Sequence, residues 1–159
     1  MDELVFIEQF LIDNAEYVRS VHADKARLNV CTKGDASDLL TEADLTVQRH
    51  AVERIGITYP GDRVVAEEGD FKALPADALA RCWVLDPVDG TNNFVRGLFP
   101  IFAISIAFCE GGRAQAAGVV LPGTGDLFLA RRGGGALRNG VAMRVSSVGD
   151  LEGARLDLD

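Results

Sequence analysis

Cysteine is scarce in this chain: Cys31, Cys82 and Cys109 are the three in 159 residues. An odd number without paired ligand spacing argues against a disulfide framework and a zinc site, and fits a reducing compartment. Long hydrophobic runs are missing too. No stretch reaches the roughly 18 consecutive apolar residues of a membrane span. Met1 is followed by Asp2 and Glu3 rather than by basic residues and an apolar run. Neither a membrane helix nor a secretory leader is therefore expected, and the expected location is the cytoplasm. Basic side chains number 16 against 24 acidic ones, a formal charge of −8. The deficit is local: residues 1–80 hold 16 acids and 8 bases, whereas 81–159 hold 8 of each. Phosphate backbones and anionic lipids attract basic surfaces, so no nucleic acid and no membrane is expected as a partner. An acidic half is suited instead to holding cations. Also absent are a Ser-His-Asp arrangement, a Walker loop and a dinucleotide fingerprint. Gly133-Gly134-Gly135 is not followed by Lys-Ser or Lys-Thr and reads as a turn, and His22 and His50 read as helix-surface residues.

What is present is enough for one domain over residues 1–159, with 48% apolar residues and a length that buries about 70% of the surface exposed by the unfolded chain. Leu4, Ile7, Phe10, Leu11 and Val18 recur at helical spacing and predict a helix over 3–22. A second helix is predicted from Thr41 to about Ile57, with Leu45, Gln48, Ala51, Val52 and Ile55 along one side, closed by Tyr59-Pro60-Gly61-Asp62. From residue 63 the texture turns to short strands: Arg63–Ala66, Cys82–Leu85, Phe102–Cys109, Ala114–Leu121 and Asp126–Ala130. In the third, Phe102, Ile104, Ile106 and Phe108 share one face, while Ala103, Ser105 and Ala107 share the other and leave room for close packing. Glu110-Gly111-Gly112-Arg113 and Asn139-Gly140 read as hairpin turns. Two helices followed by a strand meander predict an α+β fold with a largely antiparallel sheet.

The segment richest in chemistry is Trp83-Val84-Leu85-Asp86-Pro87-Val88-Asp89-Gly90-Thr91-Asn92-Asn93-Phe94. It reads as a buried strand stopping at Asp86, followed by a short helix from Thr91 to about Gly97. Two carboxylates, a hydroxyl and the free N–H groups of a helix start fall within six residues. Carboxylate and carbonyl oxygens suit a hard cation such as Mg²⁺, and free N–H groups suit phosphate. The same two acids would also serve as turn and cap residues, which Asp does routinely. A second short strand, Val64-Val65-Ala66, runs into Glu67-Glu68-Gly69-Asp70. If the two strands are neighbours ending on one edge, Glu67 lies near Asp86; otherwise the acids form a solvated loop. Thr41 followed by Asp44 resembles a capping box with Asp in the usual Glu position, which is compatible with Asp44 also facing a neighbouring site.

Taken together, Asp38-Leu39-Leu40-Thr41-Glu42-Ala43-Asp44, Glu67-Glu68 and Asp86-Pro87-Val88-Asp89-Gly90-Thr91-Asn92-Asn93-Phe94 resemble the inositol monophosphatase family of Mg²⁺-dependent, Li⁺-sensitive sugar and inositol phosphatases. Phe99-Pro100-Ile101-Phe102-Ala103-Ile104-Ser105-Ile106 and Gly133-Gly134-Gly135-Ala136 with Asn139-Gly140 extend the likeness over nearly all of residues 33–147. Asn92 stands where the family usually has Thr. The resemblance implies two N-terminal helices packed on a largely antiparallel sheet, the first half of the αβαβα sugar-phosphatase fold. It implies that Glu67, Asp86, the Val88 carbonyl and Asp89 hold Mg²⁺, with Asp86 shared between two ions. Gly90 and Thr91 would present N–H groups to the phosphate of a substrate that Glu67 and Asp89 also face. Thr91 and Asp44 would orient and deprotonate the attacking water, and Lys33 would lie on a loop near the metals.

The activity so implied is hydrolysis of a phosphomonoester such as inositol 1-phosphate, the partner being a small phosphorylated polyol or sugar. Relatives acting on histidinol phosphate, fructose 1,6-bisphosphate or a nucleotide 3′-phosphate share these motifs. Family members are longer, and their later half supplies a Trp-Asp motif that completes the second metal site together with most substrate-hydroxyl contacts. The chain is therefore expected to correspond to the N-terminal, metal-binding half with the C-terminal half absent. One well-formed Mg²⁺ site is expected, with a catalytically inactive metal- or anion-binding module as the alternative to an enzyme, and a homo-oligomer as the way to cover an exposed sheet face.

Overall fold

In the computed structural model, residues 1–32, 39–68, 81–97 and 101–150 are described. The long helix α1 spans Glu3–Ala23; Asp2 caps it by accepting from the Leu4 and Val5 N–H groups. A single 3₁₀ turn, Lys25–Arg27, follows, and then a two-residue antiparallel pair, β1 (Cys31–Thr32) with β2 (Leu39–Leu40). Helix α2 spans Glu42–Thr58 behind the capping box of Thr41 and Asp44. The rest builds one sheet: β3 (Arg63–Ala66), β4 (Arg81–Asp89), β5 (Ala103–Glu110), β6 (Arg113–Leu121), β7 (Asp126–Arg131), β8 (Gly135–Arg138) and β9 (Val141–Ala142), lying side by side in chain order. A six-residue helix α3, Thr91–Arg96, leaves the end of β4. The sheet is antiparallel except for β3 and β4, which run parallel. The α+β architecture is the one expected, and none of the described helices is long and apolar enough to cross a membrane.

Helices α1 and α2 cover one face of the sheet. Phe6, Ile7, Phe10, Leu11 and Val18 of α1 are buried, together with Trp83 and Leu85 of β4, Ile104, Ile106 and Phe108 of β5, and Ala116 and Val120 of β6. The alternation read in β5 is thus a core-facing row. Gly118 of β6 sits beneath α1: a Cβ there would lie 2.6 Å from both Ile7 and Leu11, so the helix rests on the sheet only because this residue has no side chain. The opposite face carries Val84, Ala107, Ala117 and Ala130 in one cross-strand row and stays partly exposed, Val84 at 40%. At the edge remote from the β3 and β4 C-termini, the Arg81 guanidinium ties the layers. It bonds Asp62, Glu3 and Glu110 and lies over the Phe108 ring, while Trp83 Nε1 donates to Asp62.

Two expectations are corrected. The buried side of α2 is Ala43, Asp44, Thr46, Val47, Ala51 and Ile55, whereas Leu45 and Val52 are 48% and 49% exposed. Burial of the capping residue Asp44 turns the inward stripe away from those two apolar residues. Strand β4 also does not stop at Asp86. It continues to Asp89 with a break in register: Asp86 faces Ser105, and the next pairing is Asp89 with Ala103. Pro87 is accommodated in that break, where its missing N–H leaves no ladder bond unmade.

Candidate metal centre

The parallel pairing of β3 with β4 decides where the acids meet. Ala66 lies opposite Leu85, and the Glu67 N–H donates to the Leu85 carbonyl at 3.1 Å. Glu67 is therefore carried past the end of β3 alongside Asp86, as the adjacent-strand reading expected. Burial, the charges of Glu67 and Asp89, a hydrogen bond that the protonated Asp86 carboxyl donates to Glu67, and then the charge of Asp44 push the Asp86 carboxyl up to about 7. The physical meaning is direct: four acids converge, and Asp86, half-buried beside the other three, resists ionising. Its Oδ1 is buried and accepts no hydrogen bond.

Asp44 reaches the cluster from the first turn of α2. It is wholly buried, and its Oδ2 accepts from the Thr41 N–H at 2.8 Å and the Thr41 hydroxyl at 2.5 Å. Cap and site-facing residue are thus one side chain, because the N-terminus of α2 abuts β4. On the far side Gly90 adopts φ +80 as the N-cap of α3. A Cβ there would lie 3.1 Å from the Ile101 carbonyl, so the corner requires glycine twice over, by dihedral angle and by space. The Thr91 hydroxyl donates to the Val88 carbonyl at 2.8 Å. Asn93 donates to the Ile101 carbonyl at 3.0 Å, fastening the start of β5 against α3. Beside this corner lies an open cavity of about 230 Å³ bounded by Asp89, Gly90, Asn93, Ile101, Phe102 and Ala103, among others.

Asp44, Glu67, Asp86, Val88, Asp89, Gly90 and Thr91 are therefore neighbours in space. Lys33 and Asp38 lie outside the described residues, as do Phe99 and Pro100. Among the described residues no three His, Cys, Asp or Glu side chains already close round a single point as metal ligands. The donor chemistry nonetheless fits a hard divalent cation: carboxylate oxygens and a main-chain carbonyl, one carboxylate oxygen buried without a partner, and mutual repulsion that positive charge would relieve. Sequence reasoning did not single out Gln48 as a site residue. Its side chain donates to the Glu68 carbonyl at 2.6 Å. The available signal was its position four residues beyond Asp44, on the same side of α2.

Comparison with known proteins fits this geometry. The sequence pattern of the inositol monophosphatase family matches residues 2–157. The chain belongs to that family. It is 40% identical over 124 residues to the fructose-1,6-bisphosphatase/inositol-1-monophosphatase of Thermotoga maritima, covering 78% of this chain and 46% of the relative. To the Nus factor SuhB of Pseudomonas aeruginosa it is 41% identical over 122 residues, 77% of this chain and 45% of that protein. Among solved structures, a Thermotoga maritima IMPase superposes with a TM-score of 0.79 at 36% identity, over 92% of this chain and 55% of its own. An IMPase/NADP phosphatase complexed with Mg²⁺ and phosphate gives 0.74 at 25% identity, over 89% and 54%. The chain thus spans about half the length of the family members it matches.

Proposed function

We propose that this chain forms the metal- and phosphate-binding half of a Mg²⁺-dependent phosphomonoesterase acting on a small phosphorylated polyol or sugar such as inositol 1-phosphate. The observation that carries the reading is the convergence of Glu67 on the corner of Asp86, Asp89 and Gly90, with a buried Asp86 oxygen left without a hydrogen bond. The similarity to a phosphatase solved with Mg²⁺ and phosphate supports the same ligands here.

Glu67, Asp86, Asp89 and the Val88 carbonyl hold the cation. Mg²⁺, when bound, offsets the charge of the carboxylates and the phosphate dianion and polarises the ester for attack by water. The chain's own groups supply the rest. The Gly90 and Thr91 N–H groups donate to phosphoryl oxygens, orienting the ester for in-line displacement. The Thr91 hydroxyl donates its hydrogen bond to the Val88 carbonyl, which leaves the Oγ1 lone pairs to accept from an incoming water. Asp44, gripped by Thr41 on one oxygen, takes the proton that water sheds. The P–O bond to the leaving oxygen breaks as the new P–O bond forms, the alkoxide takes a proton from solvent water, Asp44 returns its own proton to solvent, and inorganic phosphate and an alcohol depart.

Among the described residues a second cation would find only Asp86 and Asp89, so one moderate and one weak Mg²⁺ site are expected. Calorimetric titration showing two tight, equivalent sites would contradict this. The test of function is phosphate release from a panel of phosphomonoesters at millimolar Mg²⁺. Turnover of one member, lost on Asp89→Asn, establishes the reading. Mg²⁺ binding without turnover by a folded chain establishes the second reading, a binding module. The span of about half the relatives' length and the similarity to a protein named for a role other than hydrolysis favour keeping that module in view.

A further inference from the structure

Glu67 lies beyond the last ladder pair of β3, Ala66 with Leu85, and its residue is exposed. A metal ligand in such a place depends on its backbone being held. On one side the Glu67 N–H is fixed to Leu85 of β4. On the other, the carbonyl of the very next residue, Glu68, accepts the Gln48 Nε2 at 2.6 Å. This bond crosses from α2 to the loop, and its donor stands one helical turn beyond Asp44. Since a carbonyl can only accept, the amide orientation at Gln48 is chemically determined. The other end of that amide, Oε1, is buried without a hydrogen-bond partner. A glutamine kept only for stability would not be expected to strand an acceptor in this way; a methionine of similar shape would fill the space without a buried side-chain acceptor, giving up only the bond to the part-buried Glu68 carbonyl.

We propose that Gln48 is a positioning residue for the metal centre: it fastens the Glu67-Glu68 loop to α2, so that one helix sets both Asp44 and the Glu67 carboxylate against Asp86. The proposal rests on the metal-binding reading above. Outer-sphere partners of this kind commonly change metal affinity about 10–100-fold when removed.

The experiment uses the full 159-residue chain and compares wild type, Gln48→Met and Gln48→Asn, the last keeping an amide one methylene too short to reach. Mg²⁺ affinity is read by calorimetry and the Glu67 and Glu68 amides by hydrogen exchange. Both variants should bind Mg²⁺ about tenfold more weakly, with faster exchange confined to the end of β3. Gln48→Met should melt no lower than wild type, an outcome a merely structural glutamine would not give. Unchanged affinity overturns the proposal, as does unchanged exchange at Glu67, since a fall in affinity alone would mean direct contact rather than positioning. Should Gln48→Met fail to fold, its structural importance overturns the claim unless Gln48→Asn folds and shows the paired losses. If wild type binds no Mg²⁺, the metal reading fails on its own, and exchange at Glu67 still decides whether Gln48 holds the loop.

Discussion

Asp86 titrates near 3.8 in an unfolded chain and near 7 in the folded one. Between those values the folded protein holds a proton that the unfolded chain has released. The stabilising contribution is therefore complete below pH 3.8 and lost as pH rises through about 7. Above that the metal-free protein carries an ionised, crowded carboxylate it would be more stable without. Asp86→Asn should raise the metal-free melting temperature at pH 8, by the equivalent of roughly 0.5–2 kcal/mol. The advantage should vanish by pH 4, and with it any rise in melting temperature on adding Mg²⁺. Thermal scans of both proteins from pH 4 to 8, with and without Mg²⁺, check the sign. Gly90 makes a second prediction at this scale. Alanine there meets both the left-handed φ and the Ile101 carbonyl, so Gly90→Ala should lose about 1–2 kcal/mol in denaturant unfolding and weaken binding of inorganic phosphate.

At the scale of elements, the site is a product of strand direction. Had β3 joined β4 antiparallel, Glu67 would stand at the Arg81 end of the sheet; the parallel pair brings it to Asp86. Two apolar runs each ending in acids left that meeting open, a solvated loop being the other reading, because strand direction has no local signature; the core row Phe102, Ile104, Ile106, Phe108 was legible, because strict alternation has one physical reading. The inward face of α2 was not. Hydrophobic periodicity nominates Leu45 and Val52, but a buried acid and Thr46 occupy the stripe, and polar burial for function leaves no hydrophobic signature. The pair β1 and β2 is too short for periodicity to register. Gln48 escaped as a site residue because its partner is a main-chain carbonyl, which no side-chain pattern marks. The tight seat of α1 gives a further prediction. Gly118→Ala drives a methyl to 2.6 Å from Ile7 and Leu11, so it should cost about 1–3 kcal/mol, read as a lower denaturant midpoint at unchanged slope.

For the molecule as a whole, the acidic excess of residues 1–80 and the convergence of four acids predict that Mg²⁺ stabilises by mass action. At about a hundred times the dissociation constant the gain is roughly 2.7 kcal/mol, visible as a melting temperature that climbs with Mg²⁺ concentration; a flat response would count against the site. Glu67→Gln should shrink that climb while leaving the fold intact by circular dichroism. The break between Asp86 and Asp89 has a consequence of its own. In a regular strand, side chains three positions apart project from opposite sides, so these two acids could never cooperate. Here their partners on β5 are Ser105 and Ala103, two apart and thus on a common side. One surplus residue has reversed the parity. A flawless ladder would be better stitched and chemically inert at this spot; the stitching fault is what lets a stiff sheet gather charge on a single side.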